Sequence, residues 1–443
     1  MFKRTLLVFA ALVAVNAAQL TAQDAKIVDG REYRIIQTNG KEIVGKVTEL
    51  PNDYKITVGA GITVKIPKNR VYKIVEVKTA GNRPPGGTNA FRRMITDEEI
   101  EEVLGSEHVE LGPSDIDEEY DLRAPLPVDE VSVREMERIA GVKAKRLYTD
   151  HFVLVYTSSL EKARKLASRL ESVYEWNVKF MEMLDIPRTT RPDAKLEIFF
   201  FGTHPEYDAY QRFNGWSAFG AIGFYMRTNN RSAFFDMETF PPYKAQLEQA
   251  RNPNVPPQER RRIKNMVLRT IEHDNLEVVQ HEAAHHIHFN IGIFPRGGDL
   301  PTWMTEGLAT MFEAPPSEVG ASLGAVNHYR LFHFRRFYGD HGQNLPPLKL
   351  FILNDGMWNG FPSYSIGWAL NHYLFRNFRE EYGEWMRLLA KRPDDFVTRI
   401  ETSKKQEQFE DIFGEVDDDW IKAFNDYIAS IQLNRAALPP DFP

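Results

Sequence analysis

Between residues 27 and 77, apolar and polar positions alternate in short runs: Tyr33 and Ile35, Ile43 and Val47, Tyr54, Ile56 and Val58, then Ile62, Val64 and Ile66. A period of two is the signature of strands with one covered face. Asn39-Gly40 marks a tight hairpin, and Ala60-Gly61 and Pro67-Lys68-Asn69 mark further turns. The spacing therefore predicts four or five strands that close into a small all-β barrel over residues 23–78. From Thr79 the pattern dissolves into a linker to residue 146, opened by Pro84-Pro85-Gly86-Gly87 and carrying acidic clusters at 97–102 and 115–121. One short helix is expected there, at 95–104, and the acids read as solvated surface. Periodicity resumes with a strand at 151–156 and a helix at 161–184, whose Ala163, Leu166, Leu170 and Val173 form one stripe. A strand at 195–201 follows. Two further runs, 218–227 and 231–235, flank the turn signal Asn229-Asn230, so a twisted sheet with a hairpin is expected. The polar stretch Thr239–Arg262, with Pro253, Pro256 and Pro257, reads as a surface insertion, after which the chain is helical to about Ile431. The class is α+β, with one large domain over 147–433 and a tail at 434–443.

Composition narrows the function classes. A chain of 443 residues has room for two or three domains, and 42% hydrophobic with 26% charged residues is a folding composition, which excludes a disordered protein. Its 62 acidic and 55 basic side chains give a net charge of −7, which leaves no electrostatic footprint for nucleic acid. Lys3 and Arg4 precede an apolar run from Leu6 to Val15, followed by small residues at Ala17, Ala18 and Ala22. That is a secretory leader over 1–22, and the protein is expected to be exported, periplasmic or extracellular. An uncleaved anchor is the alternative. No later stretch is apolar for the roughly 18 residues a bilayer span needs, so no stable membrane insertion is expected after leader removal. Cysteine is absent, so no disulfide can form, and a metal site must use His, Asp or Glu.

The chemistry concentrates in Gln280-His281-Glu282-Ala283-Ala284-His285, an H-E-x-x-H motif on a helical stretch. At about 100° per residue, His285 falls about 40° from His281 and Glu282 about 100° from it. Both imidazoles can thus converge on one zinc ion while Glu282 flanks them within reach of a water on that ion. Twenty residues beyond His285 stands Glu306, in Trp303-Met304-Thr305-Glu306-Gly307-Leu308-Ala309. The Gly297-Gly298 loop gives the chain room to turn back and present this carboxylate as third ligand. Two His and one Glu leave a tetrahedral position open for water, as a catalytic zinc requires.

H-E-x-x-H followed by W-x-x-E-G-x-A resembles the gluzincin metallopeptidases, including thermolysin-like and aminopeptidase N-like enzymes. His281–Asn290, Leu300–Glu313 and Tyr364–Leu374 are similar, more closely, to a bacterial family of exported peptidase-like domains. The resemblance covers roughly Tyr148–Leu433. It implies a zincin-like domain, a Zn2+ cofactor held by His281, His285 and Glu306, Glu282 as general base and a peptide or protein substrate. Tyr364-Ser365-Ile366-Gly367 resembles the Y-x-x-G segment that supplies a tyrosine hydroxyl to the oxyanion, with Ile366 where such enzymes often carry Lys; Tyr364 is the candidate, and a packing role at a helix start is its alternative. A catalytically silent binding or envelope-scaffold protein, and a zinc hydrolase of a non-peptide bond, are the rival functions. Oligomeric state is not legible.

Other residues in these motifs divide by geometry. His288 shares the ligand stripe, but its rise of about 10.5 Å from His281 prevents both from binding one ion, and His286 lies off the stripe; packing or supporting roles are expected of both. Thr310 and Glu313 follow Glu306 on its face, and Glu313 is the better candidate to orient a ligand imidazole. Phe219–Tyr225 is either an edge strand that pairs with an extended substrate or a core hairpin, and the aromatic helix near Trp368–Phe378 reads as core.

Overall fold

The computed structural model describes residues 32–37, 42–51, 53–58, 62–68, 71–76, 120–188, 190–214, 221–314 and 324–438. The expected leader, the 95–104 helix and nearly all of the acidic linker clusters lie outside them. The chain divides into two compact units, the smaller ending at Ser114 and the larger running from Asp115 to the C-terminus. No helix among the described residues is long and apolar enough to cross a membrane.

The smaller unit is a five-stranded antiparallel sheet: β1 (Glu32–Gln37), β2 (Glu42–Glu49), β3 (Asp53–Val58), β4 (Ile62–Pro67) and β5 (Val71–Glu76). Alternation puts Tyr33, Val47, Tyr54 and Ile56 in its buried face. The strand order is β4-β3-β2-β1-β5, so β4 and β5 are edges and no closed barrel forms among the described residues. This corrects the expected barrel. Period-two patterning specifies strands and faces, whereas closure depends on tilt and shear between strands, which it does not encode.

The larger unit starts earlier than periodicity suggests. Residues 130–148, read largely as linker, carry α1 (Glu130–Ala140), capped by Asp129, and β6 (Lys145–Tyr148). Next come β7 (Phe152–Tyr156), α2 (Leu160–Met183), β8 (Leu196–Phe201), α3 (His204–Phe213), β9 (Phe224–Met226) and β10 (Arg231–Phe235). They form a mixed sheet of order β6-β7-β8-β10-β9, parallel at its centre and antiparallel at both edges. Strand residues alternate between two cores. Leu154, Ile198 and Phe200 face α2 and the helical subdomain, while Val153, Val155, Phe199 and Phe201 face the layer of α1 and α3.

Thr239–Arg262 is not an irregular insertion. It holds α4 (Pro241–Arg251) and the start of α5 (Pro257–His288), each opened by a proline in its first turn, where the missing N–H costs nothing. Tyr243 and Leu247 bury α4 against the second core. α5, at 32 residues, contributes Val267 and Ile271 to that core and Val279, Ala283 and Ile287 to the first. The helices that follow are α6 (Thr302–Met311), α7 (His328–Tyr338), α8 (Leu348–Leu353), α9 (Phe361–Asn377), α10 (Arg379–Ala390), α11 (Thr402–Phe413) and α12 (Asp418–Ser430).

α6 and α9 cross at glycines. A Cβ on Gly307 would drive into the Gly367 carbonyl and Asn371, and one on Gly367 would come within 3.3 Å of Gly307 Cα. Gly307→Ala is therefore expected to destabilise the larger unit by about 1–3 kcal/mol through overpacking against backbone, measurable as a lowered denaturant midpoint.

Candidate metal centre

Helical spacing on α5 brings His281 and His285 side by side, and α6 returns Glu306 to them. His281 Nε2 and His285 Nε2 are 3.1 Å apart, and Glu306 Oε2 lies 3.1 Å from the first and 3.2 Å from the second. Three ligand atoms around one tetrahedral ion with bonds of about 2.0–2.1 Å stand about 3.3 Å apart. The triangle found here matches one face of such a polyhedron, and its atoms are one carboxylate oxygen and two imidazole nitrogens, a donor set suited to zinc. The residues present therefore fit the ion that the motif implies.

Electrostatics favour a cation at this point. Burial opposes charge on His281, yet the carboxylates of Glu306 and Glu313 push its imidazolium up to about 10. Burial likewise works against Glu306, but His285 and His281 hold its carboxyl well below the usual carboxylate range.

Behind the triangle, Glu313 supports His281. His281 Nδ1 is 2.8 Å from Glu313 Oε1, which keeps the Nδ1 proton in place and turns Nε2 toward the triangle, where an ion would take the place of its proton. Glu313 is in turn held by Arg330 of α7, whose Nε and Nη2 donate to its two oxygens at 2.7 Å each, and by Asn327 Nδ2 at 2.9 Å. Burial alone would raise the Glu313 carboxyl, and the Arg330 guanidinium nonetheless holds it down. Thr310, the other candidate on this face, instead donates its hydroxyl to the Gly307 carbonyl.

Glu282 stands beside the triangle and is not part of it. Its Oε2 accepts from the Tyr225 N–H at 2.8 Å. That N–H belongs to edge strand β9, whose flanking residues Phe224 and Met226 pair with β10. Close approach of this strand to α5 depends on Gly223, where a Cβ would lie 2.5 Å from Val278 Cγ1. Asn230 and Asn290 exchange side-chain hydrogen bonds at 2.8 and 2.9 Å and tie the hairpin to the end of α5. Low-dielectric surroundings raise the Glu282 carboxyl above its ordinary value, with His281 and His285 opposing and Glu306 adding. A carboxylate so placed has the character of a proton acceptor.

Tyr364 enters from the first turn of α9. Its ring centroid is 5.7 Å from that of His281 and 5.0 Å from that of Trp358, and the Arg330 guanidinium lies 5.3 Å from its centroid. Burial, then Glu306 and Glu282, push its hydroxyl well above the usual tyrosine value, so it is a proton donor throughout the neutral range. His286 and His288 point away from the triangle. His286 Nδ1 meets Ser232 Oγ at 2.9 Å and its ring stacks on Tyr225, while His288 sits between Phe294 and Phe312.

Sequence reasoning missed Arg330, Asn327 and the buried Glu277, which precedes His281 by one turn. Glu277 was detectable as a carboxylate on the ligand stripe of the same helix. Arg330 was detectable only as a lone cation amid the aromatic positions of His328-Tyr329-Arg330-Leu331-Phe332.

A family model described as a protein of unknown function (DUF1570) matches residues 275–394, the stretch that holds the triangle, Glu282, Glu313, Arg330 and Tyr364. No curated protein matches the chain.

Proposed function

We propose that the protein is an exported zinc-dependent metallopeptidase with a gluzincin-like, zincin-type domain. The observation that carries this reading is the convergence of His281, His285 and Glu306 at 3.1–3.2 Å with a non-ligating Glu282 beside them, its carboxylate held by the Tyr225 N–H. A structural ion has no use for the last feature. Zinc, when bound, supplies a Lewis acid and an acidified water.

The chain's own residues account for the rest. Glu282 accepts the proton of the attacking water and returns it to the leaving amine, and the Tyr225 N–H keeps its carboxylate in register with the centre. The Tyr364 hydroxyl donates to the oxygen that gains negative charge. Glu313 and Arg330 hold His281 in its ring orientation.

Purified chain, stripped with a chelator and reloaded with zinc, is expected to cleave members of a mixed peptide library. Glu306→Ala, with an unchanged circular dichroism spectrum, is expected to weaken zinc binding at this centre by at least about 100-fold, because a direct ligand counts for more than an outer partner. Zinc binding without cleavage of any peptide would overturn the peptidase reading in favour of a binding protein. Failure to bind zinc would overturn the centre itself.

A further inference from the structure

One to two turns before His281, α5 carries a second convergent group. Ligand atoms of His273, Asp274 and Glu277 lie within 4.8 Å of one another. Asp274 is 2% and Glu277 5% exposed, while the His273 side chain keeps 23% of its surface and opens the group to solvent. Asp274 uses one oxygen to accept from the Tyr243 hydroxyl of α4, and its other oxygen is 3.4 Å from His273 Nδ1. Glu277 Oε1 lies 2.8 Å from Arg330 Nη2, but Arg330 aligns its hydrogen bonds on Glu313 instead. Glu277 Oε2, deeply buried, makes no hydrogen bond.

These facts leave a buried carboxylate poorly satisfied. Glu277 and Glu313 share the Arg330 guanidinium, which gives its hydrogen bonds to Glu313, and a buried carboxylate without hydrogen bonds is costly. One imidazole nitrogen and two carboxylate oxygens form a donor set for a zinc-type ion rather than for calcium, which takes oxygen ligands alone. We propose that His273, Asp274 and Glu277 form a second site for a divalent transition-metal cation of the zinc type, entered past His273. Its role is structural: it neutralises the Glu277 carboxylate and ties α5 to α4 through Asp274–Tyr243 and to α7 through Glu277–Arg330. The peptidase reading is not needed for it.

The test is metal stoichiometry on the full chain, stripped with a chelator, dialysed against zinc and counted by mass spectrometry. The parent is expected to hold about two ions, and His273→Ala, Glu277→Gln and Glu306→Ala about one each. Circular dichroism checks folding, and the partly exposed His273 gives a variant that tests the site even if Glu277→Gln fails to fold. One zinc in the parent, removed by Glu306→Ala and kept by His273→Ala, would overturn the second site and assign the neutralising charge to a proton on Glu277. One zinc with the reverse dependence would support this site and sink the His281–His285–Glu306 centre. No zinc at all would overturn both.

Discussion

Replacement of Glu282 by glutamine is expected to lower peptide turnover by about 10²–10⁴-fold while leaving zinc content and stability nearly unchanged. Glutamine keeps the shape of the side chain, and its carbonyl oxygen can still accept from the Tyr225 N–H, now at 2.8 Å from the carboxylate. What it cannot do is accept a proton. The substituted residue is no part of the ligand triangle, so loss of activity with full zinc loading isolates proton transfer from metal binding. Single-turnover kinetics would place the loss in the chemical step, with KM little altered. A variant retaining a tenth or more of the parental turnover would remove Glu282 from the role of base and leave the flanking carboxylate without a function.

Arg330→Ala is expected to cost about 3–5 kcal/mol in equilibrium unfolding, the largest single loss of stability away from the ligands themselves. The guanidinium is buried and bonds both oxygens of Glu313, which is itself almost wholly covered. Its removal strands Glu313 and Glu277 together in a space that water reaches poorly. Arg330→Lys is not expected to rescue, because an ammonium cannot span both oxygens in the plane of the carboxylate. Pairing Arg330→Met with Glu313→Gln should cost less than the sum of the two single changes, because it removes both charges at once. A loss below about 1 kcal/mol for Arg330→Ala would show that the carboxylates are neutralised by other means.

How much of this was legible depends on how local each interaction is. His281, Glu282 and His285 are one helical turn, so sequence spacing alone gives their relative directions. Glu306 needed only the further inference that a Gly-rich loop lets the next helix return, and Glu313 was reached by counting two turns along that helix's face, although α6 ends at Met311 and Glu313 follows just beyond it. Arg330 could not be read in this way. It reaches Glu313 from another helix, and a single arginine in a sequence resembles surface until the fold surrounds it. The same limit explains the smaller unit. Its strands follow from alternation, but whether β4 meets β5 depends on the accumulated tilt of five strands, and among the described residues they do not pair. Polar composition misled at Thr239–Arg262, where two proline-started helices bury only narrow stripes such as Tyr243 and Leu247 and present charge elsewhere.

The glycine contact between α6 and α9 sits one residue from Glu306. With the backbone of α6 wedged against α9 at Gly307, and both imidazoles mounted on one helix, the ligand triangle has little freedom to dilate. Ions requiring bonds of about 2.3–2.6 Å would force its edges toward 4 Å, against that helix crossing. On the proposed reading, rigidity imported from the core would act as a filter on ionic radius that disfavours calcium.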